Sequence, residues 1–318
     1  WEFYWSRHLS PSDFSKEKLP DNKEFIKVPG YWKNNEISGS QHPSDGFATY
    51  RLSLILNQNK EALALKMQEI SVAYTLYVNG GQVTSLGIAG KDRETTVPRQ
   101  LHQVVDFKAL DSRVEIIAQV SNFHHRRGGG PWEVMQLGTE QEIRQIHERG
   151  LNLDWFLFGS LFIMALYHLG LFLFRKTDRS PLYFSIFCFL IASRLLTTGA
   201  RYLAHLFPGL SWELLVKFEY LSFYLAVPAF ALFMHSLFPN FSKIMLRLIE
   251  GLALVFAGIV VFLPARVTSY TVNPYEVITI GTLFYSFYII IVSLRQRNIE
   301  ALVFLVGFLI LAVTVIND

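Results

Sequence analysis

Residues 153–174 read LDWFLFGSLFIMALYHLGLFLF, and residues 175–181, which follow them, read RKTDRSP. A helix needs about 20 apolar residues to cross roughly 30 Å of hydrocarbon, so the first stretch predicts a membrane span and the second a polar loop. The same alternation continues to the end of the chain. It predicts six spans, over residues 153–174, 181–203, 213–238, 245–263, 272–294 and 299–317.

The loops between these spans differ in their content of Lys and Arg. Loops after the first, third and fifth spans are basic, whereas 204–212 has no Lys or Arg and 264–271 has only Arg266. Because basic short loops stay in the cytoplasm, residues 1–150 are predicted to lie outside it, in the periplasm or extracellular space. The chain is then predicted to be a multi-pass protein of the inner (plasma) membrane, in contact with the lipid bilayer. The basic residues are Arg175, Lys176, Arg179, Lys243, Arg247, Arg295 and Arg297.

The sixth predicted span runs outward in this topology and ends near residue 318. A further helix is needed to return the chain to the cytoplasm. A seventh span beyond residue 318 is therefore the simplest completion, and the sequence is expected to be a segment of a longer protein.

Residues 1–138 have the mixed composition of an ordinary soluble domain. Apolar residues alternate with others over 50–56, 63–67, 72–78 and 114–120, which is typical of strands. Asn79-Gly80-Gly81 separates two of these runs and favours a tight hairpin turn. Many short strands predict a β-sandwich. The predicted fold is thus a multi-domain membrane protein, with an all-β sandwich over 1–138, a connector over 139–152 and an α-helical transmembrane bundle over 153–318.

Composition and motifs narrow the function classes. The formal net charge of +3 gives no reason to expect a nucleic-acid partner. The single cysteine, Cys188, forbids an intrachain disulfide. No metalloprotease, P-loop, nucleophile-elbow or dinucleotide motif occurs, so this segment is predicted to be no enzyme, with no catalytic residue, metal or cofactor.

The richest polar stretch is NFHHRRGGGPW, over residues 122–132. Its glycines would let a ligand approach the backbone, and its Trp could stack on a sugar ring. The predicted ligand-binding residues are Asn122, His124, His125, Arg126 and Trp132. A structural loop that packs against the sandwich or the membrane surface is the competing interpretation.

Several polar and ionisable residues fall within the predicted spans, where such groups are costly and usually face the bundle interior. Arg194 and Glu219 lie at similar depths, so a buried pair between them is geometrically feasible. A structural ion pair and an element of a switch both stay open as its role. Pro228, in the third span, removes a helix hydrogen bond and predicts a kink.

Several separated motifs, in order along the chain, resemble one bacterial family. In the first half they are VPGYW at 28–32, LYVNG at 76–80 and QVSNFHHR at 119–126; in the second they are YHLGL at 167–171, DRSPLYF at 178–184 and EYLS at 219–222. This chain resembles the seven-transmembrane receptors with diverse intracellular signalling modules. The resemblance implies a jelly-roll outer domain similar to the sugar-binding modules of some glycosidases, a seven-helix transducer and a cytoplasmic output module in cis.

The resulting hypothesis is a bacterial transmembrane sensor. Its outer β domain would bind a small-molecule ligand, with carbohydrate as one candidate class, and its helices would transmit the signal to the output module. A homodimer is compatible with this hypothesis. A membrane transporter with an outer substrate-binding domain is the alternative, and it would show inverted repeats and broken helices.

Overall fold

The computed structural model describes residues 1–16, 20–37, 40–56, 62–108, 112–199, 201–238, 240–296 and 300–317; Arg297 and Asp318 lie outside these ranges. The chain divides into two compact units. The first combines Trp1–Asp154 with Ala200–Leu215, and the second combines Trp155–Gly199 with Val216–Asp318. The first unit therefore contains a segment that the sequence places between two membrane spans.

Strands dominate the first unit. A six-stranded antiparallel sheet has the order β2-β1-β5-β10-β7-β8, a three-stranded sheet has the order β11-β6-β9, and β3 pairs with β4. The strands are β1 (Glu2–Trp5), β2 (Glu24–Phe25), β3 (Glu36–Ile37), β4 (Ser40–Gln41), β5 (Gly46–Ile55), β6 (Ala62–Met67), β7 (Ala73–Val78), β8 (Gly81–Leu86), β9 (Gln103–Lys108), β10 (Arg113–Asn122) and β11 (Gln136–Thr139).

One apolar core joins the two larger sheets. Tyr50 and Leu76 of the six-stranded sheet and Leu65 and Met67 of the three-stranded sheet are buried in the same cluster. Such burial of alternate residues from two sheets is the arrangement of a sandwich. The prediction of a jelly-roll β-sandwich followed by a helical bundle is confirmed.

The predicted hairpin is present. β7 and β8 pair with Val78 opposite Gly81, and the two residues between them, Asn79 and Gly80, have φ of 49° and 83°. Positive φ at both central positions is the type I′ geometry, which matches the right-handed twist of the flanking strands.

Helices make up the rest of the chain. They are α1 (Pro11–Phe14), α2 (Glu140–Phe174), α3 (Ser180–Thr197), α4 (Tyr202–Leu206), α5 (Trp212–Leu237), α6 (Lys243–Phe262), α7 (Ala265–Thr268), α8 (Val272–Arg295) and α9 (Glu300–Asn317), with 3-10 turns at Trp32–Asn34 and Ser269–Thr271. Within the described residues, five segments are long and apolar enough to cross a membrane: Glu140–Phe174, Ser180–Thr197, Trp212–Leu237, Lys243–Phe262 and Ala265–Arg295. The sixth predicted span forms α9, and its crossing of the membrane stays a prediction.

The predicted connector is not a separate element. Residues 140–152 form the first part of α2, which continues as one helix of 35 residues through the first predicted span. Its first turn carries Glu140 and Glu142, and negative charges there are favourable at the positive end of the helix dipole.

The second predicted span, over 181–203, is wrong at its carboxyl end. α3 stops at Thr197, where the hydroxyl groups of Thr197 and Thr198 donate to the Arg194 carbonyl at 2.8 and 3.0 Å. Gly199 then takes the left-handed conformation, with φ of 52°. Glycine in this conformation just after a helix is a common terminator. Residues 202–206 consequently form the separate helix α4.

Pro228 lies inside α5 without ending it. A proline lacks the N–H that would bond to the carbonyl four residues earlier, which here belongs to Tyr224. The Tyr275 hydroxyl of α8 donates to that carbonyl oxygen at 2.5 Å, in a buried position. A side chain from a second helix thus replaces the hydrogen bond that Pro228 removes.

We expect the Tyr275 hydroxyl to stabilise the second unit only while Pro228 is present. Tyr275→Phe should lower the free energy of unfolding by about 1–3 kcal/mol, because it leaves a buried carbonyl without its donor. In a Pro228→Ala background the backbone N–H can bond to that carbonyl, so Tyr275→Phe should cost less. Denaturation of the four variants in detergent measures the coupling. An equal loss in both backgrounds would contradict this assignment.

Candidate functional site

Asn122 fixes the polar loop over residues 122–132 from within. It ends β10 with its side chain fully buried. Its Nδ2 donates to the Ser44 carbonyl at 3.0 Å and to the His125 carbonyl at 2.7 Å, and its Oδ1 accepts from the His125 N–H at 3.1 Å. All of these bonds close the loop on itself and on the neighbouring segment, so this amide holds the loop in shape.

The loop wraps around an aromatic residue. The side chain of Trp32 lies so close to Gly129 that a Cβ there would stand 2.2 Å from its ring. The backbone N–H of Trp32 donates to the Gly129 carbonyl at 3.0 Å. Glycine at this position is therefore required by close packing, which supports the structural part of the competing interpretation of this loop.

Trp132 and His125 form one face of the loop. The two rings lie 5.1 Å apart, and the Trp132 ring also meets Tyr31 edge-on at 5.6 Å. The indole Nε1 donates to the Gly128 carbonyl at 3.1 Å, and the backbone N–H donates to the Glu69 carbonyl at 2.8 Å. Trp132 thus contributes its polar groups to loop closure and places the loop beside Glu69.

His124 and Arg126 complete the predicted set. The His124 ring lies edge-on to Trp212, with 6.3 Å between ring centres, and Arg126 is half-buried. The structure therefore places all five predicted residues on one loop or directly beside it. Their role in ligand binding stays a prediction.

A buried ion pair that the sequence analysis missed lies next to this loop. Glu69 follows β6, and Arg201 precedes α4; the guanidinium Nε donates to Glu69 Oε1 at 3.0 Å, and Nη2 contacts the same oxygen. The two side chains are 13% and 12% exposed, so water screens the pair weakly. Arg201 has φ of 55°, an uncommon conformation for a residue with a Cβ.

Further contacts join residues 201–212, which we name the docked loop, to the β domain. The Trp212 Nε1 donates to Gln100 Oε1 at 3.1 Å, and the Arg99 guanidinium donates to the Pro208 carbonyl at 3.3 Å. The Tyr202 hydroxyl donates to the Leu151 carbonyl of α2 at 3.3 Å. The docked loop is therefore held at both of its ends and at its middle.

The charges around the pair shift several pKa values. Burial raises the pKa of Glu69, but the charge and hydrogen bonds of Arg201 outweigh it, so the pKa lies below its usual range. Burial, together with the charges of Arg201 and Lys66, lowers the pKa of His102 to about 4. Burial, with Arg127 and Arg126 beside it, lowers the pKa of His125 to about 3. At neutral pH these histidines are uncharged, and the pair is ionised.

One signal in the sequence could have pointed to Arg201. It falls inside the second predicted span, and an ionisable residue within a span is a candidate for function. No local pattern marks Glu69, which lies 132 positions away from its partner. Only the folding of the docked loop onto the β domain brings the two together.

The predicted transmembrane pair lies in the second unit. The Arg194 guanidinium stands over the Phe223 ring, 5.0 Å from its centre, and Arg194 and Glu219 are both half-buried. A cation over an aromatic face is an attractive contact. The pairing of Arg194 with Glu219 stays a prediction.

In the part of the chain that the structure describes, no three His, Cys, Asp or Glu side chains are placed to share a metal ion.

The β domain is similar to solved glycosidase structures. They include a GH2 β-galacturonidase from Eisenbergiella tayi bound to galacturonate (16% identity, 43% of this chain, 22% of that chain, TM-score 0.29). A second is the Ruminococcus gnavus β-glucuronidase, with 18% identity over 38% of this chain and 20% of that chain and a TM-score of 0.29. A third is the Parabacteroides merdae β-glucuronidase with glycerol in its active site, with 11% identity over 43% of this chain and 20% of that chain and a TM-score of 0.32. The match extends over about a fifth of each enzyme. Comparison with curated proteins gives no match.

The helical part has a clearer relationship. Residues 151–318, more than half of the chain, match the sequence model of a family described as 7TM diverse intracellular signalling. This is a receptor-type signalling family, in agreement with the resemblance that the sequence motifs carry. The chain therefore belongs to the 7TM diverse intracellular signalling family and is a multi-pass transmembrane sensor.

Proposed function

We propose that this chain is the input and transmission part of a receptor. Its β domain binds a small polar ligand outside the cytoplasm, and its helices carry the resulting change to a cytoplasmic output module in the same protein. Carbohydrates stay a candidate ligand class through the resemblance to sugar-binding jelly rolls. The observation that carries the proposal is the docked loop, because it folds with the β domain although it connects α3 to α5.

The docked loop belongs to the same compact unit as the β domain, and this also supports the proposed membrane topology. Ala200–Leu215 folds with Trp1–Asp154 in one compact unit, which supports the proposal that these two segments lie on the same side of the membrane. The basic loops after the first and third spans belong to the other unit and carry the charge typical of the cytoplasmic side. The β domain is therefore proposed to be periplasmic or extracellular, on a protein of the inner membrane.

The chain passes from one unit to the other at three positions. They follow Asp154 in α2, Gly199 after α3 and Leu215 in α5. α2 is a single helix across its crossing point, and α5 begins at Trp212, whose indole bonds to Gln100. A ligand that binds two arrangements of the β domain with different affinities would shift the population of both. The start of α2 and the docked loop are the proposed routes of that shift.

Ligand binding should change the docked loop as well as the β domain. The test screens sugars and small metabolites against the full chain in nanodiscs by thermal shift, and follows each binder by amide hydrogen exchange. We expect altered exchange in residues 202–211 and in the first turn of α5.

The control variants for that experiment are Glu69→Gln and Glu94→Gln. Glu69→Gln leaves Arg201 buried beside a neutral group, a change that costs on the order of 3 kcal/mol, so exchange of the docked loop should rise roughly tenfold or more without ligand. Glu94, an exposed residue, should be replaceable without effect. The charge reversal Glu69→Arg with Arg201→Glu should restore part of the protection. Binding whose exchange response stays within residues 1–138, or no binder in the panel, would contradict the proposal.

The β domain with its docked loop should lose stability in mild acid. The pKa of His102 is near 6.5 in the unfolded chain and about 4 in the folded protein. The folded state is therefore at its full stability above pH 6.5, and it loses stability relative to the unfolded state as the pH falls from 6.5 toward about 4. The pKa of Glu69 is also lowered by folding, so protonation of this carboxylate removes further stability as the pH falls below about 4.5. Urea denaturation followed by circular dichroism should show a falling midpoint from pH 7 to pH 5.

The variant His102→Asn should flatten this pH dependence, because the titrating group is gone. His168→Asn, which removes a histidine of the second unit, is the matched control. An unaltered slope in His102→Asn would mean that other groups account for the acid sensitivity.

A further inference from the structure

The three-stranded sheet has one face that the sandwich core does not use. Leu63, Leu65 and Met67 of β6 point into the core, so the alternate residue Lys66 points to the opposite face. Lys66 stands opposite Gln136 of β11 on one side and opposite Val104 of β9 on the other. His102 precedes Val104 by two positions and follows the same alternation.

The start of α2 covers part of this face. Ile143 is buried, and a Cβ on Gly138 of β11 would lie 3.3 Å from its Cγ1. Arg144 forms an ion pair with Asp106 of β9. Three residues after Arg144, His147 lies on the same side of α2.

One cation of this face, Lys66, is half-buried. Lys66 forms no ion pair with any residue that the structure describes, and Arg201 is occupied by Glu69. The atoms His102 Nε2 and Gln136 Oε1 are both buried and have no hydrogen-bond partner among the described residues. A buried polar atom without a partner is costly, so a ligand that hydrogen-bonds to it removes that cost.

We propose that this face binds a small organic anion, with Lys66 and His102 contacting its carboxylate or phosphate oxygens and Gln136 contacting a neighbouring polar group. This proposal rests on the proposed function and specifies an organic anion as the class of ligand that the β domain binds. Two carboxylates lie within electrostatic reach of this face: Glu69 is held by Arg201, and Glu133 forms no ion pair with Lys66 among the described residues. The ligand supplies the anionic hydrogen-bond acceptor that Lys66 and His102 lack. Binding protonates His102, which then donates through Nε2.

The position of this site connects it to the docked loop. His102 lies within the electrostatic reach of both Glu69 and Arg201, which act on its pKa in opposite directions. An anion bound at Lys66 and His102 attracts the Arg201 guanidinium and repels the Glu69 carboxylate. Occupation of the site therefore biases the ion pair that holds the docked loop.

The test measures the thermal shift of the full chain in nanodiscs with succinate or inorganic phosphate, and with glucose as the neutral probe. Stabilisation by succinate alone identifies a carboxylate site, and stabilisation by phosphate identifies a phosphate site. Lys66→Gln and His102→Gln should each weaken binding at least tenfold. Lys108→Gln, which removes an exposed lysine of the same sheet, should leave it unchanged.

A second readout separates binding from folding defects. Histidine NMR of the wild-type chain should show the pKa of His102 rising when the anion is added, and this shift should be absent in Lys66→Gln. No stabilisation by either anion, or equal affinity in Lys66→Gln and Lys108→Gln, overturns the anion site. Binding of a neutral sugar in the earlier screen would, in that case, leave the proposed function standing.

Discussion

The ion pair between Glu69 and Arg201 is the interaction on which the arrangement of the first unit depends. It is an ion pair between the β domain and the docked loop, and both of its side chains are largely buried. Two charges taken out of water lose several kcal/mol of hydration each, and their attraction repays this only when the geometry is good. The pair is thus weak as a source of stability but exacting about position. If either partner moves, the ion pair is lost although both side chains were largely buried.

This property suits a contact that has to report a change. A hydrophobic contact of the same size would tolerate sliding, because it has no directional requirement. The bonds of Arg201 to Glu69 and of Trp212 to Gln100 are directional, so a shift of the β-domain loops that carry Glu69 and Gln100 disturbs both at once. The left-handed backbone of Arg201 fits the same picture, since the surrounding contacts must hold it there.

The sequence predicted features with a local signature. Apolar length indicated the helices, alternation indicated β5, β6, β7 and β10, and Asn79-Gly80 indicated the hairpin. The end of α3 was missed because apolar residues resume at Tyr202 and Leu203, so the predicted span was extended through 197–201, where Thr197, Thr198 and Gly199 end the helix. The Glu69–Arg201 pair could not be predicted, because it joins positions 132 apart. The loop over 122–132 was recognised from its composition, but the inward hydrogen bonds of Asn122 have no signature in the sequence.

The same logic applies inside the second unit. Pro228 is visible in the sequence as a broken helix bond, but its partner Tyr275 is not, because it comes from another helix. A proline whose freed carbonyl is bonded to a neighbouring helix does not act as an independent hinge: bending α5 at this point requires that the bond to α8 be lost or moved with it. The Tyr224 hydroxyl, in turn, bonds to Thr271 at the approach to α8. Movement of α5 is therefore tied to movement of α8, which makes a concerted change of the two helices less costly than a change of either one alone.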